Sequence, residues 1–170
     1  YVSAQEYPTR PINIIVPAAA GGPTDTISRV TAQAMSQVLG QQITIENAGG
    51  AGGTIGTGRV VRAEPDGYTL LIYHVGLSTA ATLYRKLPYD TRSAFAPIGL
   101  VTAAPMTIIG RSDLEPNTLT ELVAWLKGRR AKTTFGNAGI GSASHLCGML
   151  FMSRLQLQLT TVPYRGTAPV

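Results

Sequence analysis

Four stretches of this sequence concentrate glycines, hydroxyl side chains and amides: Ala20-Gly21-Gly22-Pro23-Thr24-Asp25; Asn47 to Thr54 with Gly49, Gly50, Gly52 and Gly53; Asn137 to Ser144 with Gly139, Gly141, Ser142 and Ser144; and Tyr164-Arg165-Gly166-Thr167. Each follows a short apolar run and leads towards a segment of helical period. In that setting glycine admits close approach to the backbone, the first helical amides lack intrahelical acceptors, and the helix dipole favours negative charge. The chemistry this supports is anion capture. Asp25 fits a helix-capping role better than an anion contact, because like charge repels. One such loop alone is explained by ordinary turn chemistry. Four at strand ends point to a ligand site, since ligands in open α/β sheets bind beyond the carboxyl ends of the strands.

Other chemistries fail on spacing. Gly50 and Gly52 are followed by Ile55 where a dinucleotide fingerprint needs its third glycine. Gly53 and Gly58 have phosphate-loop spacing, but Arg59-Val60 stands where Lys and Ser or Thr are required. His145 and Cys147 are two positions apart and face different directions on a helix, so they form no base and nucleophile pair. Ser142 and Ser144 lack a nucleophile-elbow frame. His74 and His145 are the only histidines, without a cluster at metal-ligand spacing. Neither an enzyme nor a cofactor or metal is expected. Cys147, the single cysteine, is expected to be a small buried apolar residue.

The elements that must hold these loops alternate in type. Strands are expected at Ile12 to Val16, Ile43 to Glu46, Tyr68 to Tyr73, Thr133 to Gly136 and Leu159 to Tyr164, with two further strand-like runs at Ile98 to Thr102 and Met106 to Ile109. Ile27, Val30, Ala34, Met35 and Val38 define the expected apolar face of the first helix, closed by Gly40. Further helices are expected over Thr54 to Ala63 and Leu146 to Leu155. Thr118 and Glu121 form a capping box ahead of Leu119, Leu122, Val123 and Leu126, the expected buried face of a structural helix. Thr167 and Pro169 suit the start of another helix that the second lobe does not complete. The pattern is α/β with mainly parallel sheets.

Composition agrees with a folded protein of one good core or two small lobes: 170 residues, 44% apolar, 14% charged and a net charge of +5, mildly favouring anionic ligands. No apolar run approaches the roughly 20 residues of a membrane span. Nucleic acid is not an expected partner, because basic residues are scattered apart from Lys127 to Lys132, and aromatics do not interleave with them. Tyr1 to Gln5 reads like the flank of a leader-cleavage site.

In order along the chain, Pro11-Ile12 to Val16-Pro17, Ala20 to Asp25, Glu46-Asn47 with Gly50-Ala51-Gly52-Gly53, and Ala63-Glu64-Pro65-Asp66-Gly67-Tyr68-Thr69-Leu70-Leu71 resemble the Bug/TctC family of tripartite tricarboxylate transporter receptors. The resemblance continues through Leu87-Pro88-Tyr89-Asp90, Gly141-Ser142 with Ser144-His145-Leu146, and Val162-Pro163-Tyr164-Arg165-Gly166. It implies a type II periplasmic-binding-protein fold, with two hinged α/β lobes at 1–104 and 105–170, the second incomplete in a chain about half the family length. It also implies a periplasmic receptor that captures a small carboxylate for the membrane components of a transporter, without inserting into the membrane itself. A ligand-sensing partner of a signalling protein is the alternative. The implied site comprises Ala20, Gly21, Gly22, Thr24, Asp25, Asn47, Gly50, Gly52, Ser78 and Thr79 from the first lobe. The second contributes Gly141, Ser142, Ser144, Tyr164, Gly166 and Thr167. Ala48-Gly49 replaces the usual Arg-Pro, removing a cation near the cleft.

Overall fold

Ile12–Val16 (β1) is the most deeply buried segment, and its β-branched residues explain why it forms the centre of a sheet. It pairs in parallel with Ile43–Asn47 (β2) on one side and Thr69–Leu71 (β3) on the other, giving the order β2-β1-β3. Ile14 and Val16 pack with Ala32, Met35, Ile43, Ile45, Leu70 and Ile72 to form the core. Helices Pro23–Leu39 (α1), Thr54–Val61 (α2) and Gly76–Leu83 (α3) follow the three strands, with a 3₁₀ turn at Ala51–Gly53 before α2. The computed structural model describes residues 6–129, 133–167 and 170. The stretch read as flanking a cleavage site, most of the basic cluster's end and the helix-starting Pro169 lie outside the described residues.

Beyond an extended segment, Leu119–Gly128 (α4) opens with the expected capping box: the Thr118 hydroxyl accepts from the Glu121 amide at 3.2 Å and the Glu121 carboxylate accepts from the Thr118 amide at 3.3 Å. Thr134–Asn137 (β4) and Thr160–Pro163 (β5) then pair in parallel as a separate sheet, joined by Ala143–Leu155 (α5). No described helix is long and apolar enough to cross a membrane.

Several expectations need correction. Residues 96–111 contain no strand, and Ile98, Leu100 and Ile109 are exposed: neither strand-like run finds a ladder partner among the described residues. Helix α1 packs through Ser28, Ala32 and Met35 with Asp25 buried beside them, so of the expected apolar stripe Met35 reaches the core and Ile27 is half-buried, while Val30, Ala34 and Val38 face solvent. Small side chains at Ser28 and Ala32 let the helix lie close to the sheet there. Leu119 is exposed because it occupies the first turn of α4, beyond the part that packs, while Leu126 is buried. Cys147 is exposed on α5, as Met149 and Leu150 are, instead of buried.

Candidate functional site

The segments following all five strands converge on one cavity of about 340 Å³. Its wall takes Pro17 to Ala19 after β1, Gly49 to Gly53 after β2, Tyr73 and His74 after β3, Ala138 to Ile140 after β4, and Pro163 to Thr167 at and after β5. The size suits a small organic molecule. A wider hollow of about 570 Å³ along Arg29, Gln33, Ser36 and Gln42 is a shallow surface between the side of α1 and β2.

Two helix N-termini face the cavity. Gly22 caps α1, and Pro23 occupies the first helical position, where its missing amide costs nothing. The amides of Thr24 and Asp25 find no acceptor among the described residues. Ser142 caps α5; its hydroxyl accepts from the His145 amide at 3.2 Å and lies 3.1 Å from the Ser144 hydroxyl, while the amides of Ala143 and Ser144 find no acceptor among the described residues. Gly22, Thr24 and Ser142 all line the wall. Free amides, the positive ends of two helix dipoles and a hydroxyl thus point to an anionic ligand.

Asp25 stands behind this wall and organises it. Its carboxylate accepts from the Gly21 amide (2.9 Å), Arg29 Nε (3.0 Å) and Asn47 Nδ2 (2.9 Å), and Arg29 also donates to Asn47 Oδ1 at 3.2 Å. The Arg29 hydrogen bond holds the Asp25 carboxyl at about 2, against a smaller opposing effect of burial. This network ties the loop after β1 to the loop after β2. The sequence reading overlooked Arg29, although its i,i+4 spacing from Asp25 was an available signal.

After β3, the Tyr73 hydroxyl donates to the Gly52 carbonyl, and burial pushes its pKa far up, so it remains a donor. His74 packs on Tyr73 with ring centroids 4.3 Å apart and accepts from the Gly76 amide through Nδ1 at 3.0 Å. Burial lowers its pKa, which favours the neutral ring with its proton on Nε2. Asn137 is buried at the end of β4: its Oδ1 accepts from the Gly139 amide at 3.0 Å, and its Nδ2 has no acceptor among the described residues. His145 accepts from the Gly141 amide through Nδ1 at 3.3 Å. Among the described lining residues, Arg165 is the one formally charged side chain.

The structure therefore brings Gly22, Thr24, Gly50, Gly52, Ser142, Tyr164, Gly166 and Thr167 onto one wall. Ala20, Gly21, Asp25, Asn47, Gly141 and Ser144 lie in the same loops without lining it, the Ser144 hydroxyl accepting from the Ala138 amide at 2.9 Å. Ser78 and Thr79 lie on α3 and do not line it; the Thr79 hydroxyl donates to the Val75 carbonyl at 3.3 Å. Tyr73 and Tyr84 were missed, because aromatic residues near strand and helix ends carry no spacing signature.

Residues 27–170 match the model of the tripartite tricarboxylate transporter family receptor. A UPF0065 protein from the TAR-I ttuE-ttuC′ intergenic region of Agrobacterium vitis is 52% identical over 163 residues, covering 96% of this chain and 47% of the relative. The periplasmic binding protein BugD superposes with a TM-score of 0.92 at 52% identity, over 96% of this chain and 55% of that one. MatC of Rhodopseudomonas palustris, solved with bound malate, gives 0.89 at 38% identity, over 96% and 56%. The chain spans about half the length of the curated relatives it matches.

Proposed function

The chain belongs to the tripartite tricarboxylate transporter receptor family, and on that premise we propose that it acts in the periplasm as a solute receptor. Its ligand is a small carboxylate, captured between an α/β lobe at 1–104 and another at 105–170 and delivered to the membrane components of a transporter. The observation that carries this reading is the convergence of the α1 and α5 N-termini, with free amides and the Ser142 hydroxyl, on one cavity. A carboxylate accepts several hydrogen bonds and matches that donor set. The malate bound to MatC supports a ligand of this class.

In this reading Gly22, Thr24, Gly50, Gly52, Ser142, Tyr164, Gly166 and Thr167 contact the ligand or its bridging waters. Ala20, Gly21, Asp25, Asn47, Gly141 and Ser144 hold the contacting loops, and Ser78 and Thr79 support them from α3. Arg165 adds a charge at the rim.

Calorimetry on the full-length protein with malate, succinate, citrate, a neutral sugar and a polyamine tests the class. Binding is expected for one or more of the acids, and binding confined to the sugar or polyamine overturns the reading. Arg165→Gln is expected to weaken acid binding by no more than about tenfold, since one rim charge contributes about 1 kcal/mol.

A further inference from the structure

We propose that Tyr84 is a positioning residue, a clasp from the first sheet's layer that seats the Asn137 to Ser142 loop, and with it the N-terminus of α5, over the cavity. The proposal rests on the reading of that cavity as the carboxylate site, which it deepens. Tyr84 ends α3 in an extended conformation, φ −107° and ψ 121°, so its side chain leaves the helix end. Its hydroxyl donates across to the Ile140 carbonyl at 3.0 Å.

Two glycines, Gly52 and Gly76, permit this approach, and Gly141 lies in ordinary contact with the Tyr84 ring. Gly52 has φ +60°, and a Cβ there would collide with the Ile140 carbonyl oxygen and stand 2.5 Å from the Tyr84 hydroxyl. A Cβ on Gly141 would meet the Tyr84 ring at 3.7 Å, and one on Gly76, at the opposite end of α3, would meet the Gly141 carbonyl oxygen at 3.0 Å. Both ends of α3 therefore abut the loop that leads into Ser142. Tyr73 fixes the other side by donating to the Gly52 carbonyl. Burial raises the Tyr84 pKa, which keeps its hydroxyl a donor.

The contact uses the Ile140 backbone and needs no ligand. Its consequence is that lobe approach is partly built into the protein, so loss of the hydroxyl should free the second lobe before it alters any ligand contact. Tyr84→Phe keeps the ring and removes the bond. The expected effect is a three- to tenfold faster release of L-malate with association changed less than about twofold, the range for one neutral hydrogen bond.

Cys147 is the chain's only cysteine and is exposed, so spin labels on Cys147 and on an introduced Val38→Cys report the distance between α5 and α1. Without ligand, Tyr84→Phe should lengthen and broaden that distance relative to the parent, and Gly52→Ala, which blocks the approach sterically, should do the same. Unchanged ligand-free distances in both variants overturn the clasp. Unchanged malate release in Tyr84→Phe does so as well. If the parent binds none of the acids, the ligand reading fails instead, while the ligand-free distances still decide the clasp.

Discussion

Asp25 carries the wrong charge for an anion site, yet it orders the site from behind. Both its oxygens are engaged, by the Gly21 amide, Arg29 and Asn47. Its carboxyl lies at about 2 instead of 3.8, chiefly through the Arg29 hydrogen bond. A depressed carboxyl stabilises the folded state above its unfolded value, and that contribution fades as pH falls from 3.8 towards 2. Asp25→Asn is therefore expected to lower stability at pH 7 by about 1–2 kcal/mol, allowing for solvent screening at the half-exposed Arg29. Urea denaturation at pH 7 and pH 2 checks the sign: the gap between parent and variant should close at the lower pH. A gap that persists unchanged would mean that packing, not charge, is what the substitution removes. Mispositioned loops should also weaken carboxylate binding at pH 7, because the network joins the segments after β1 and β2.

At the scale of elements, local signals were legible and tertiary ones were not. The Thr118–Glu121 capping box is a matter of four consecutive residues, so its reciprocal bonds follow from the sequence. Thr118→Ala should cost about 1 kcal/mol, read as an earlier midpoint in thermal denaturation followed by circular dichroism. Three of the glycine loops were legible for the same reason, each being a strand end followed by a helix start, and the fourth as a strand end. The buried face of α1 was only partly so: periodicity selected Ile27, Val30, Ala34, Met35 and Val38, of which Met35 reaches the core, while the closest packing runs through Ser28 and Ala32. Seating depth decides that choice, and it depends on the sheet rather than on the helix. The apolar runs at 98–102 and 106–109 have strand composition, yet strand formation requires a partner that no described segment provides. Helix α3 escaped notice because Gly76 to Leu83 is short and opens without a capping side chain, which also hid Tyr84 at its end.

At the scale of the whole molecule, the loops that follow the two sheets approach each other closely at a glycine. Gly166, after β5, has φ +134°, and a Cβ there would stand 2.6 Å from the Ala19 Cβ in the loop after β1. Gly166→Ala therefore meets two obstacles, a backbone region that L residues rarely adopt and a methyl group between the loops. Strain of about 1–3 kcal/mol at such a position corresponds to a roughly 5- to 150-fold loss of carboxylate affinity if the lobes must separate to relieve it. The two causes can be told apart with Ala19→Gly in the same chain, which restores clearance but leaves the backbone strained. A double-mutant cycle on the malate dissociation constant should show Ala19→Gly recovering a substantial part of the loss in Gly166→Ala while having little effect alone. Independent, additive effects would mean that the loops after β1 and β5 do not meet in the liganded protein, and that closure over the ligand follows a different path from the one these glycines permit.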